Sequence, residues 1–141
     1  MNLPDVNVLV HASNPSAAQH AAAWQWLRSA GNGREGLGLT WVAMLGFIRL
    51  STRAGIFAPP LPVKAALAVV AQWHAAPASS LLHPGPRHAD ILADLLLAAG
   101  TAGNLTTDAH LAAIAIEHGA TLVSFDRDFE RFAGLSFKLL K

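Results

Sequence analysis

The chain reads as an α/β protein built on a mostly parallel sheet covered by helices on both faces. Three observations predict this. Short apolar runs of strand length alternate along the chain with longer segments of helical period. The runs are apolar throughout rather than alternating, as in strands buried on both faces. Apolar residues make up 52% of the 141 residues and charged residues only 13%, which favours a packed core over a disordered chain. One domain spanning 1–141 is expected, since that length suffices for a sizeable core and no repeat or low-complexity tract divides it.

Taken in order, Leu3 to Val10 is expected to be the first strand, with Pro4 at its start, where a missing ladder donor is tolerated. Asn14-Pro15-Ser16 marks a turn and a helix start. Ala17, Ala21, Trp24 and Leu27 then recur at helical spacing until Gly31. Leu37 to Leu39 suits a short strand. Trp41 to Arg53 suits a helix capped by Thr40, with Val42, Gly46, Arg49 and Arg53 on one stripe. Pro59, Pro60 and Pro62 form a stiff link, and Pro62 suits the first turn of a helix that buries Ala66, Val69, Val70 and Trp73. Ser79 to Leu82 suits a third strand. The next helix turns Ile91, Leu92, Leu95 and Ala98 inward and Arg87, Asp90 and Asp94 outward. Thr106 or Thr107 is expected to cap the helix that carries Asp108, Leu111, Ile114, Ala115 and His118, and Gly119 stops it. Thr121 to Phe125 is a strand, Asp126 to Phe132 a helical turn, and Leu135 to Leu139 a final edge strand.

Composition excludes several classes of function. Without cysteine there is neither a disulfide nor a thiolate metal site, which suits a cytoplasmic protein. No apolar run approaches a membrane span, and no basic segment followed by an apolar one opens the chain. A formal net charge of +1 leaves any nucleic-acid partner to a local basic face.

The chemistry-bearing residues are acids. Asp108 opens a helix, Asp126 closes a strand, and Asp128 follows two residues later. Asp5 lies inside an apolar run, where a carboxylate is costly unless something pairs with it. Helix capping and turn roles account for Asp108 and Asp128 but not for Asp5. Carboxylates gathered at one end of a parallel sheet repel one another unless a cation joins them. All-oxygen donors select Mg2+ or Mn2+, which activate water and polarise phosphoryl oxygens. The histidines show no H-x-x-x-H or zinc spacing; His11 alone, just after the first run, is placed to reach the same cleft. Trp24, Trp41 and Trp73 suit core or partner packing better than base stacking.

Three segments, PDVNVLV, LGFIRLSTRAGIF and GNLTTDAHLAAIAIEHGATLVSFDRDFERF, carry a resemblance to the PIN-domain family, and within it to VapC-type toxins of toxin–antitoxin pairs. It covers essentially the whole chain. It implies a three-layer α/β/α sandwich and a Mg2+- or Mn2+-dependent endoribonuclease that leaves 5′-phosphate and 3′-hydroxyl ends. It implies Asp5, Asp108 and Asp126 as catalytic metal ligands and Asp128 as an accessory acid. Asn7 and Ser124 match positions that orient the acids or their waters. Arg49 and Arg53, with Arg127, would contact the RNA backbone. The implied partners are RNA, a VapB-like antitoxin and a second copy of the chain, with helices at 41–57 and 62–76 as the candidate surfaces.

The chain departs from the family at its second acid. Where relatives carry Glu in an E-x-x-R arrangement, this chain has Gly46-Phe47-Ile48-Arg49. One negative charge fewer implies weaker metal binding. The alternative to an active nuclease is therefore a PIN-fold module that binds RNA or antitoxin with little or no cleavage.

Overall fold

Leu3 to Val10 does not form one strand. In the computed structural model, which describes residues 1–141, strand β1 is Asn2–Pro4 and helix α1 is Val6–Ala12, with Asp5 as the cap between them. The Asp5 carboxylate accepts the Val6 amide at 2.7 Å, which starts the helix. Val8, Leu9, Val10 and Ala12 of α1 are all buried, so the segment lacks the alternation of polar and apolar residues that separates a helix from a strand.

Helix α2, His20–Asn32, begins later than the Asn14-Pro15 turn and buries Ala23, Leu27 and Ala30. Trp24 lies off that stripe, 46% exposed, beneath the Arg28 guanidinium. Strand β2 is Leu37–Leu39, and Thr40 caps helix α3, Trp41–Ser51, by accepting the Ala43 amide at 3.3 Å. Helix α4 is Val63–Ala75, with Pro62 at its cap and Ala66, Val70 and Trp73 inward. Strand β3, Ser79–Leu81, leads to helix α5, His88–Ala99, where Leu95 is buried and Ala98 is exposed.

Neither threonine caps helix α6, Thr106–His118. A 3-10 turn at Gly103–Leu105 runs straight into it, so Thr106 and Thr107 are already helical and Asp108 lies in the first turn. Leu111, Ile114 and Ala115 are buried, whereas His118 faces solvent and reaches the His83 carbonyl at 2.7 Å. Gly119 ends the helix in the left-handed region that glycine favours. Strand β4 is Thr121–Ser124, a 3-10 turn covers Arg127–Arg131, and edge strand β5 is Ser136–Leu139.

All five strands are parallel, in the order β3-β2-β1-β4-β5. One apolar cluster joins α1, α2, α3 and α4 on one side of the sheet, with Phe47 and Trp73 in edge contact at 4.7 Å. A second joins Leu95 of α5, the buried residues of α6, and Phe129 and Phe132. The two clusters are the inner faces of the two helical layers.

Candidate active site

The chain leaves β1 toward β2 and β3 on one side of the sheet, then returns to β4 and β5 on the other. This makes β1 and β4 the switch point, where clefts open beyond the carboxyl ends of parallel strands. Pro4 pairs in register with Val123, so Asp5 and Ser124 end neighbouring strands side by side.

Asp5 is 7% exposed. Its two oxygens are held separately: Oδ1 accepts from the Val6 amide, and Oδ2 accepts from the Ser124 hydroxyl at 2.9 Å. Burial pushes its pKa up to about 6; the two hydrogen bonds oppose the rise, and the charges of Asp108 and Asp126 add to it.

Ser124 is fully buried and acts as a junction. Its oxygen also receives the Asn7 side-chain amide and the Asp126 backbone amide, each at 3.0 Å. The Asn7 carbonyl oxygen in turn accepts the Phe125 amide at 3.3 Å. Asn7 and Ser124 thus tie the start of α1 to the end of β4. Asp126 caps the following 3-10 turn through the Asp128 amide at 2.9 Å.

Asp108 is half-buried, and its carboxyl is raised above the usual carboxylate range by burial, then by the charges of Asp126 and Asp128. The Arg131 guanidinium opposes that rise. Asp5, Asp108, Asp126 and Asp128 therefore share one electrostatic neighbourhood, although 123 residues separate Asp5 from Asp128 in the sequence.

Asp5 and Asp108 open onto one cleft of about 320 Å3, which Thr107 and Arg49 also line. Its remaining wall is apolar, from Val6, Val42, Leu45 and Leu111. Gly46 belongs to that wall. A Cβ placed on it would lie 2.7 Å from the Val6 Cγ2.

The carboxylates are spread rather than caged: no three acid or histidine side chains are gathered closely enough to hold a metal unaided. Mg2+ keeps several of its waters and needs only a few protein oxygens, so a spread set of carboxylates still suits it. Burial and like charge disfavour ionised Asp5 and Asp108, and a hard divalent cation relieves both penalties. The donor set fits such an ion.

Arg53 lies past the end of α3 and does not line this cleft, and Arg127 forms an exposed pair with Glu130 at 3.7 Å. His11 also stays out of the cleft; its ring meets Phe125 edge-on at 5.3 Å. Sequence reasoning missed Arg131 beside Asp108, Thr107 in the cleft and the reach of Val6 toward Gly46. Each depends on packing between elements distant in sequence.

A PIN-domain family model matches residues 3–135. Ribonuclease VapC37 of Mycobacterium tuberculosis is 48% identical over 135 residues, covering 96% of this chain and 94% of that protein. Ribonuclease VapC33 of the same species is 44% identical over 137 residues, covering 97% and 96%. Among solved structures, the sarcin-ricin loop cleaving toxin VapC20 of M. tuberculosis aligns with a TM-score of 0.70 at 16% identity, covering 96% of this chain and 99% of that one. VapBC2 of Rickettsia felis, bound to a promoter DNA fragment, aligns with a TM-score of 0.70 at 13% identity, covering 99% and 98%.

Proposed function

The chain belongs to the PIN-domain family, and from that premise we propose that it is a divalent-metal-dependent endoribonuclease, the toxin of a toxin–antitoxin pair. The observation that carries this reading is Asp5. Asp5 caps α1, but a cap does not need burial at the switch point of the sheet or a place with Asp108 on one cleft, and a site for a phosphodiester does.

Asp5, Asp108 and Asp126 would hold Mg2+ or Mn2+, with Asp128 as an accessory acid. The ion supplies an activated water and neutralises charge on the phosphoryl group. The protein's own contribution is positioning. Ser124 and the Val6 amide fix the two Asp5 oxygens, and Ser124 also holds the backbone at Asp126. Asn7 orients Ser124. Arg49, at the cleft, binds a backbone phosphate, and the apolar wall limits water. In the hydrolysis, water forms the new bond to phosphorus, the bond to the 3′-oxygen breaks, and a proton passes to that leaving oxygen.

The partners in this reading are RNA, a VapB-like antitoxin and a second copy of the chain. The exposed Trp41, Leu45, Val63 and Leu67 of α3 and α4 offer apolar area for the two protein partners. Controlled expression with mapping of cut RNA tests the proposal. Asp5→Ala and Asp108→Asn should abolish Mg2+-dependent cleavage and growth arrest, and undiminished cleavage by either would overturn it.

The apolar wall at Gly46 favours one second reading, a PIN-fold module that captures RNA or antitoxin without cutting. Single-turnover assays at saturating Mn2+ discriminate: bound but intact RNA supports capture, and cleaved RNA removes it.

A further inference from the structure

Gly46 is an odd residue for the middle of a helix. Glycine is a poor helix former, and the backbone here does not require it, because Gly46 is not among the glycines with positive φ. The reason lies in its neighbour. A Cβ at this position would meet Val6 alone, at 2.7 Å from Cγ2 and 3.4 Å from Cβ. α3 therefore crosses the start of α1 so closely that a side chain at position 46 requires Val6 to shift.

Val6 lines the cleft and is half-buried, so the strain falls on its side chain and its place in the helix. It is the first residue of α1, and its side chain is β-branched, with one strongly preferred rotamer in a helix. A methyl group pushed against it must turn that side chain off its rotamer or shift its backbone. That backbone carries the amide that holds Asp5 Oδ1 at 2.7 Å. The other hold on Asp5 comes from Ser124 on β4, a separate element that only the Asn7 side chain ties to α1. Displacing Val6 would thus pull one support of Asp5 away from the other.

We infer that Gly46 is a positioning residue for Asp5, acting through Val6. The inference rests, for its metal-binding arm, on the reading of Asp5 as a metal ligand. The glycine then does more than leave out an acid. It lets α3 close against Val6 so that the Val6 amide stays aimed at the carboxylate.

The test compares four full-length proteins: wild type, Gly46→Ala, Val6→Ala and the double variant. Three readouts are thermal stability without metal, Mn2+ affinity by calorimetry, and the Val6 amide resonance without metal in the two proteins that keep Val6. In the wild-type background, Gly46→Ala should lower the melting temperature, weaken Mn2+ binding on the order of tenfold, and shift the Val6 amide resonance. With Val6→Ala in place, the same change should raise the melting temperature, since only helix propensity remains. Mn2+ affinity should then match that of Val6→Ala alone to about twofold. A Gly46→Ala protein with unchanged Mn2+ affinity and an unmoved Val6 amide overturns the inference, even if it melts lower. So does a Mn2+ loss that persists in the double variant. If wild type itself binds no Mn2+, the metal reading of the site fails, while the amide resonance and the reversal in stability still decide the role of Gly46.

Discussion

The Ser124 hydroxyl donates to Asp5 Oδ2 at 2.9 Å, joining the end of β4 to the cap of α1 across 119 residues of sequence. Because the same oxygen receives the Asn7 side chain and the Asp126 amide, one small side chain sets three parts of the site. A methyl group there would leave the Asp5 oxygen unpaired in a buried place and release the half-buried Asn7 and Asp126 amides.

Ser124→Ala should accordingly cost about 1–3 kcal/mol of stability, the range for orphaning buried polar groups. It should also lift the Asp5 pKa further, since the Ser124 bond is the larger of the two influences that lower it. Urea denaturation and RNA cleavage measure the two effects. A stability change below about 0.5 kcal/mol, the size of an ordinary surface substitution, would show that the junction holds nothing.

The raised pKa of Asp5 sets the sign of a pH dependence. Its carboxyl moves from 3.8 to about 6 on folding, so between those values the folded protein binds the proton the unfolded chain has lost. Stability from this group is therefore fully present below pH 4 and falls as pH rises through 6, by about 3 kcal/mol in all. Asp5→Asn keeps a capping side chain and removes the titration. The metal-free variant should gain on wild type steadily from pH 4 to pH 7 in denaturant titrations. Parallel stability curves for the two proteins would contradict the assignment.

Metal should reverse that loss. Binding of Mn2+ needs ionised carboxylates, so it should release a proton near pH 6, visible as heats that depend on the buffer. At about 100 times its dissociation constant the ion should stabilise wild type by about 2.7 kcal/mol. Asp5→Asn and Asp108→Asn should each lose most of that gain. An equal gain in both variants would place the ion elsewhere.

The physical reach of the sequence explains which parts of this site it disclosed. The strands at Leu37, Ser79 and Thr121 are short runs between turn residues, so their existence and order could be read directly. Asp5 stood out because a carboxylate in an apolar run demands a partner. Its role as a cap did not, because Val6 to Ala12 is too apolar to show a helical face. The pairing of Asp5 with Ser124 follows from the register of Pro4 with Val123, which only the closed sheet defines. Likewise Gly46 reads in sequence as a missing acid, and in three dimensions as a crossing point with Val6.

The two arginines that one helical stripe placed together separate in the fold, and RNA binding should separate them too. Arg49 lines the cleft beside Asp5 and Asp108, whereas Arg53 lies beyond the last turn of α3. Arg49→Ala should raise KM for RNA about tenfold, the scale of one charge-assisted hydrogen bond, with a smaller change in kcat. Its binding should also depend less steeply on salt, by about one phosphate contact. Arg49→Lys should recover the salt dependence but not the full affinity, because an ammonium lacks the fork that grips two phosphate oxygens. Arg53→Ala should leave both quantities near wild type. Steady-state cleavage kinetics and filter binding across a salt series check all three variants, and equal losses at positions 49 and 53 would mean that the RNA follows the outer face of α3 rather than the cleft.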